Sequence, residues 1–134
     1  MKYKKYAQPI IQKIDARYWK IVRPWRVMLS NGDIMIIGKG FVHDYTSVPG
    51  IVQPIFPKFS HGDIGAIAHD FMYSYGYYVN GEGEKVSVTR KQADYEMTFL
   101  MRVYGDSKLR STLAYVAVRL FGQTRWKRVL RQFK

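Results

Sequence analysis

The apolar residues of this chain change their spacing once, and that change limits the folds open to it. Up to about residue 45 they alternate. In RYWKIVRPWRVML (17–29), Trp19, Ile21, Trp25, Val27 and Leu29 fall on one side of an extended chain. From about Asp63 they recur every three or four residues, beginning with Ile64, Ile67, Ala68, Phe71 and Met72. A chain that is extended first and helical afterwards makes an α+β domain, with sheet and helices segregated along the sequence. The expectation is an N-terminal antiparallel β-hairpin or small sheet packed on a C-terminal bundle of three to four helices. At 134 residues the chain can build one core but not two, so 1–134 reads as one domain. Its β-rich part covers 1–45, a Pro- and Gly-rich loop covers 43–62, and the helical part covers 63–134.

Within the first part, SNGD (30–33) separates the alternating run from a return strand, IMIIGKGFV (34–42). Asn31-Gly32 suits a two-residue hairpin turn, whose central positions need positive φ. Pro24 points to an edge or a bulge, and an earlier strand around Ile10–Ile14 can join the pair. In the second part, Gly76 can end the first helix. YYVNGEGEKVSV (77–88) reads as a small hairpin or a loop. Thr89 with Gln92 forms a capping box for a second helix, which buries Ala93, Met97, Leu100, Met101 and Tyr104 and stops at Gly105. A third helix from about Ser107 is expected to bury Leu109, Leu113, Val116, Ala117, Leu120 and Phe121, with Gly122 as its stop. TRWKRVLRQFK (124–134) can add a short basic amphipathic helix.

Charge is the strongest bulk signal. The net charge is +12, and it is carried by the ends. Residues 1–26 hold eight Lys or Arg against Asp15, and residues 106–134 hold eight against Asp106. The segment between them is slightly acidic and contains all three histidines. Basic ends suit a polyanion, either nucleic acid or an anionic lipid surface, or else serve solubility alone. No zinc-finger spacing, RNP block or clear helix-turn-helix is present. There is no cysteine, so disulfides and thiolate metal sites are excluded. No apolar run approaches the roughly 20 residues that span a bilayer, and the N-terminus lacks a signal-peptide core.

Chemistry concentrates in AIAHDFMYSYG (66–76). His69 and Tyr73 are four apart and share a helix face, while Asp70 points about 100° away. Asp94 lies early in the next helix, beside the apolar Ala93. If those helices run antiparallel, Asp94 can fix one nitrogen of His69 and leave the other as a general base. Asp70 can then hold a hard cation such as calcium. The competing reading is a structural network, with His69 bonded to Asp94 and Asp70 capping loop amides. Tyr73, Tyr75, Tyr77 and Tyr78 follow the pair, and can line a pocket mouth, stack on bases or sit at a lipid interface.

Two resemblances bear on these residues. H-D-F-M-Y followed by T-R-K-Q-A-D-Y-E-M, about 30 residues, resembles the active-site helix pair of secreted-type phospholipases A2, in particular the cysteine-free parvoviral and short bacterial forms. That resemblance implies His69 as base, Asp94 as its orienter, Tyr73 as support and Asp70 as calcium ligand. The glycine-rich calcium loop of that family is not recognisable, so either the 40–50 segment replaces it or calcium is absent.

A longer match runs through G-K-G-F-V-H-D-Y-T-S-V-P, A-I-A-H-D-x-x-Y, R-K-Q-A-D and A-V-R-L-F-G-Q-T-R-W. It is similar to a domain-of-unknown-function family common in bacteriophage and prophage genomes. It implies a phage protein acting in a virion or the host cytoplasm, with a phage or host protein as a possible partner. It also draws attention to His43, Asp44 and Ser47. Asp44 is a further candidate metal ligand. Ser47 reads as a turn cap rather than a nucleophile, because S-V-P lacks the strained elbow that activates a serine.

Overall fold

The structure, a computed structural model, describes residues 3–14, 18–44, 62–123 and 126. Five short strands come first: β1 (Ile11–Lys13), β2 (Tyr18–Ile21), β3 (Trp25–Met28), β4 (Ile34–Ile37) and β5 (Val42–Asp44). They form two antiparallel groups, a three-stranded sheet in the order β1-β2-β5 and the pair β3-β4. The expected hairpin is therefore present but broken on both arms. Pro24, which has no N–H to give a ladder, separates β2 from β3. Opposite it, the turn at Gly38–Gly40 separates β4 from β5. Across the break Ile21 N–H donates to Phe41 O at 2.9 Å and Gly40 N–H to Ile21 O at 2.8 Å, so the ribbon bends without coming apart. The inward side is the one the alternation predicts: Trp19, Ile21, Trp25, Val27 and Leu29 are all buried.

The turn itself differs from the two-residue form. Leu29 N–H donates to Asp33 O and Gly32 N–H to Leu29 O, leaving Ser30, Asn31 and Gly32 as a three-residue connection with Gly32 at φ 87. Asn31 Oδ1 accepts from Asp33 N–H, which closes the loop from inside.

Three helices follow: α1 (Gly62–Tyr75), α2 (Arg90–Val103) and α3 (Lys108–Phe121). A small antiparallel hairpin, β6 (Tyr77–Val79) and β7 (Lys85–Ser87), joins the first two helices and settles the 77–88 segment as a hairpin. The arrangement is an α+β fold, strands N-terminal and helices C-terminal. The capping box at Thr89 is complete, with Thr89 Oγ1 accepting from Gln92 N–H and Gln92 Oε1 accepting from Thr89 N–H. The predicted inner stripes of α1 and α2 are buried throughout. These helices approach closely because α1 carries Gly65 at the crossing. A Cβ there would lie 2.6 Å from Met97 O and 2.9 Å from Met101 Cγ, so any side chain would force α1 and α2 apart.

α3 corrects the sequence reading. Its inward face is Ser111, Ala114 and Ala117, while Leu109, Leu113, Val116, Leu120 and Phe121 are 43–69% exposed. Small side chains let α3 sit close on α2 and leave the larger apolar residues outside. Of the expected fourth helix at 124–134, only Trp126 lies within the described residues; its ring meets Tyr73 edge-on at 5.2 Å. Among the described residues, no helix is long and apolar enough to cross a membrane.

Candidate active site

Three helices converge on Asp94, which is fully buried in the second turn of α2. α1 contributes His69 and Tyr73, stacked one helical turn apart with ring centroids 4.1 Å apart. His69 Nε2 lies 2.7 Å from Asp94 Oδ1, and the Tyr73 hydroxyl donates to the same oxygen at 2.7 Å. The other carboxylate oxygen faces α3, where Arg119 Nη1 donates to Oδ2 at 2.9 Å. Arg90, one turn before Asp94 on α2, places Nη1 3.8 Å from Oδ2. Its guanidinium also donates to Val118 O at 3.0 Å and Arg119 O at 3.2 Å, two carbonyls of the last turn of α3. A cation there answers the negative end of the helix as well as the carboxylate.

Gly122 makes this convergence possible. A Cβ on it would lie 2.6 Å from the Tyr73 hydroxyl and 2.6 Å from Val118 O, so α3 can end against Tyr73 only with glycine at that position.

The charges settle the protonation pattern. Burial is the largest influence on Asp94 and acts to raise its pKa. The bonds and charges of His69, Tyr73 and Arg119 outweigh it and hold the carboxyl below its ordinary 3.8. An ionised Asp94 can only accept, so His69 Nε2 must carry the hydrogen, and in the neutral ring Nδ1 is then the basic nitrogen. Tyr73 is pushed well above its ordinary range, first by burial and then by the carboxylate it donates to, so it stays protonated. His69 keeps 7% of its surface, whereas Asp94 keeps none.

The other candidates are not among the side chains that meet Asp94, or lie outside the description. Asp70, next to His69 on α1, is 93% buried, with 7% of its surface exposed. Tyr75 packs among the rings of Phe41, Phe71 and Tyr77, not against Asp94. The backbones of His43 and Asp44 lie in β5, paired with Trp19 and Tyr18, and their side chains lie outside the description. Ser47 lies outside the described residues. Among the described residues no three His, Asp or Glu side chains gather in a way that could hold a metal ion.

A second buried carboxylate lies two residues further along α2. Both oxygens of Glu96 accept from Ser30 N–H, at 3.2 and 3.1 Å, and the Ser30 hydroxyl donates to Oε1. Among the described residues no cation pairs with it. Burial raises its pKa above the usual 4.5, and the Ser30 bonds oppose that only in part. Glu96 lines a cleft of about 500 Å³, whose walls include Asn31, Tyr78, Val88, Tyr95 and Tyr115.

The sequence reading paired His69, Tyr73 and Asp94 and missed the two arginines. The signal was present: the spaced blocks R-K-Q-A-D and V-R-L-F-G contain Arg90, Asp94, Arg119 and Gly122, which meet here. The molecule is thus an α+β protein whose three helices share one buried His–Asp–Tyr–Arg centre. It belongs to the family described as protein of unknown function (DUF1353), whose model matches residues 19–118 and so includes His69, Tyr73, Arg90 and Asp94 and stops just before Arg119 and Gly122. No curated protein and no solved structure matches the chain.

Proposed function

We propose that this protein is a phage-encoded hydrolase of lipid esters, with the His69 imidazole as its working group. The observation that carries the reading is the shared oxygen: Asp94 Oδ1 takes both His69 Nε2 and the Tyr73 hydroxyl at 2.7 Å. This occurs in a helix pair whose sequence resembles that of the phospholipases A2. With Nε2–H committed to Asp94, Nδ1 takes a proton from water as the water oxygen attacks the ester carbonyl. When the tetrahedral intermediate collapses, the same nitrogen returns the proton to the leaving alkoxide, releasing acid and alcohol. Asp94 stays ionised throughout and balances the imidazolium.

Calcium enters the proposal through Asp70. Such an ion takes roughly six to eight oxygens, and Asp70 is one carboxylate, so the rest would come from the 40–50 segment, Asp44 included. When bound, it would favour negative charge on the carbonyl oxygen. The test is fatty-acid release from anionic phospholipid vesicles, with and without a calcium chelator. His69→Asn is expected to abolish release while changing stability by no more than about 1–2 kcal/mol. Equal release by wild type and variant overturns the reading.

A second reading rests on the +12 net charge. It makes the protein a non-enzymatic virion or host-interaction component that binds nucleic acid or an acidic partner and keeps the Asp94 centre for stability. It predicts DNA or RNA binding that weakens steeply between low and moderate salt. Binding indifferent to salt counts against it.

A further inference from the structure

Among the described residues, the buried Glu96 has no counter-charge. An ionised carboxylate offers about four lone-pair directions. Ser30 brings two hydrogens to them, its N–H and its hydroxyl, so acceptor capacity is left over. A buried charge is ordinarily paired, because desolvation costs it heavily when it is not. This one lines a cleft of about 500 Å³, a volume ordinary for a small-molecule site. Glu96 and Asp94 are two residues apart, so the 3.6-residue period puts this cleft on the side of α2 away from the His69 centre.

A second observation gives the cleft its sign. The hydroxyl of Tyr78, another wall residue, donates to Asp33 Oδ2 at 2.6 Å. Burial, the bond to Asp33 and the charges of Asp33 and Glu96 push that hydroxyl up to about 12, against an opposing bond from Asn31. Two carboxylates therefore act on one wall. Of the described lining residues only Lys91 is cationic, and it is exposed, where water and salt screen it. Val86 and Val88 supply apolar surface, and Tyr95 and Tyr115 supply rings, whose faces attract cations. A hard metal ion calls for about six oxygens or more, and among the described residues no three acidic or His side chains gather. An ammonium group needs only one carboxylate. We propose that this cleft binds a small organic amine in its ammonium form, with its N–H groups on Glu96 and its apolar body against the valines and tyrosine rings.

The test is isothermal titration of the full chain at neutral pH with tryptamine, its neutral isostere tryptophol, and indoleacetate. Tryptamine should bind saturably and at least about tenfold more tightly than tryptophol. Indoleacetate should not saturate. The net charge of +12 favours the anion in bulk, so a preference for the ammonium has to come from the local carboxylates. Glu96→Gln keeps an oxygen for Ser30 and removes the charge. It should weaken tryptamine by at least about tenfold and leave tryptophol unchanged. Tyr95→Ala, at an exposed position whose ring α2 does not need for folding, should weaken tryptamine about two- to fivefold. No saturable binding of tryptamine, equal affinity for tryptamine and tryptophol, or equal tryptamine binding by wild type and Glu96→Gln overturns the proposal. Should Glu96→Gln fail to fold, Tyr95→Ala decides in its place, and unchanged tryptamine binding by it overturns the proposal as well.

Discussion

Asp94 and Glu96 stand two residues apart on α2, point to opposite sides of it, and are both buried, yet they are held in opposite ways. Asp94 is met by an imidazole, a phenol and two guanidiniums, and its pKa falls. Glu96 is met by a backbone amide and a hydroxyl of Ser30, and its pKa rises. Burial acts the same way on each, so the difference lies in the partners. Where cations converge, a dry carboxylate stays charged; where only neutral donors reach it, desolvation wins.

The largest expected consequence is at Asp94. Asp94→Ala leaves Arg90 and Arg119 facing each other without their counter-charge, and should cost about 3–5 kcal/mol in urea denaturation. A loss below about 1 kcal/mol would place Asp94 on the same footing as Glu96. Gly122→Ala comes next, because the new methyl meets the Tyr73 hydroxyl and Val118 O. It should cost about 1–3 kcal/mol, and less if the end of α3 can shift.

The pH dependence separates the two acids. An acid with a lowered folded pKa gives stability that is complete above its unfolded value and is lost as pH falls through the folded one. Asp94 therefore should make stability fall as pH drops below about 4. Glu96 works the other way. The folded chain holds its proton more tightly, so its penalty at neutral pH is relieved as pH falls toward the usual 4.5. Glu96→Gln should flatten the upper part of the stability curve and leave the acid limb in place. If both limbs persist, the contrast is wrong. At neutral pH the same substitution is the smallest effect of all, within about 1 kcal/mol, since an amide oxygen can still accept from Ser30.

Much of this was legible in the sequence where the inner face carried large apolar residues. The stripes of α1 and α2, the Thr89 cap and the meeting of His69 with Asp94 all follow from helical spacing. α3 was misread because periodicity shows which residues share a face without showing which face turns inward. Its leucines outweighed Ser111, Ala114 and Ala117 in hydrophobicity, but close approach favoured the small side chains. The bend of the ribbon was only half visible. Pro24 announced a break, while the matching break at Gly38–Gly40 depends on which residues lie opposite. Arg119 comes 25 residues after its carboxylate and from a different helix, so only its place in a spaced block hinted at it.

Joining three helices at one carboxylate has a consequence for how the molecule comes apart. α1, α2 and α3 each hold one end of the same knot, so none can fray past it without exposing an unsatisfied charge on the others. Their backbone amides should therefore lose protection from solvent exchange together, as one unit, while the β6–β7 hairpin, bonded outside the knot, opens on its own schedule.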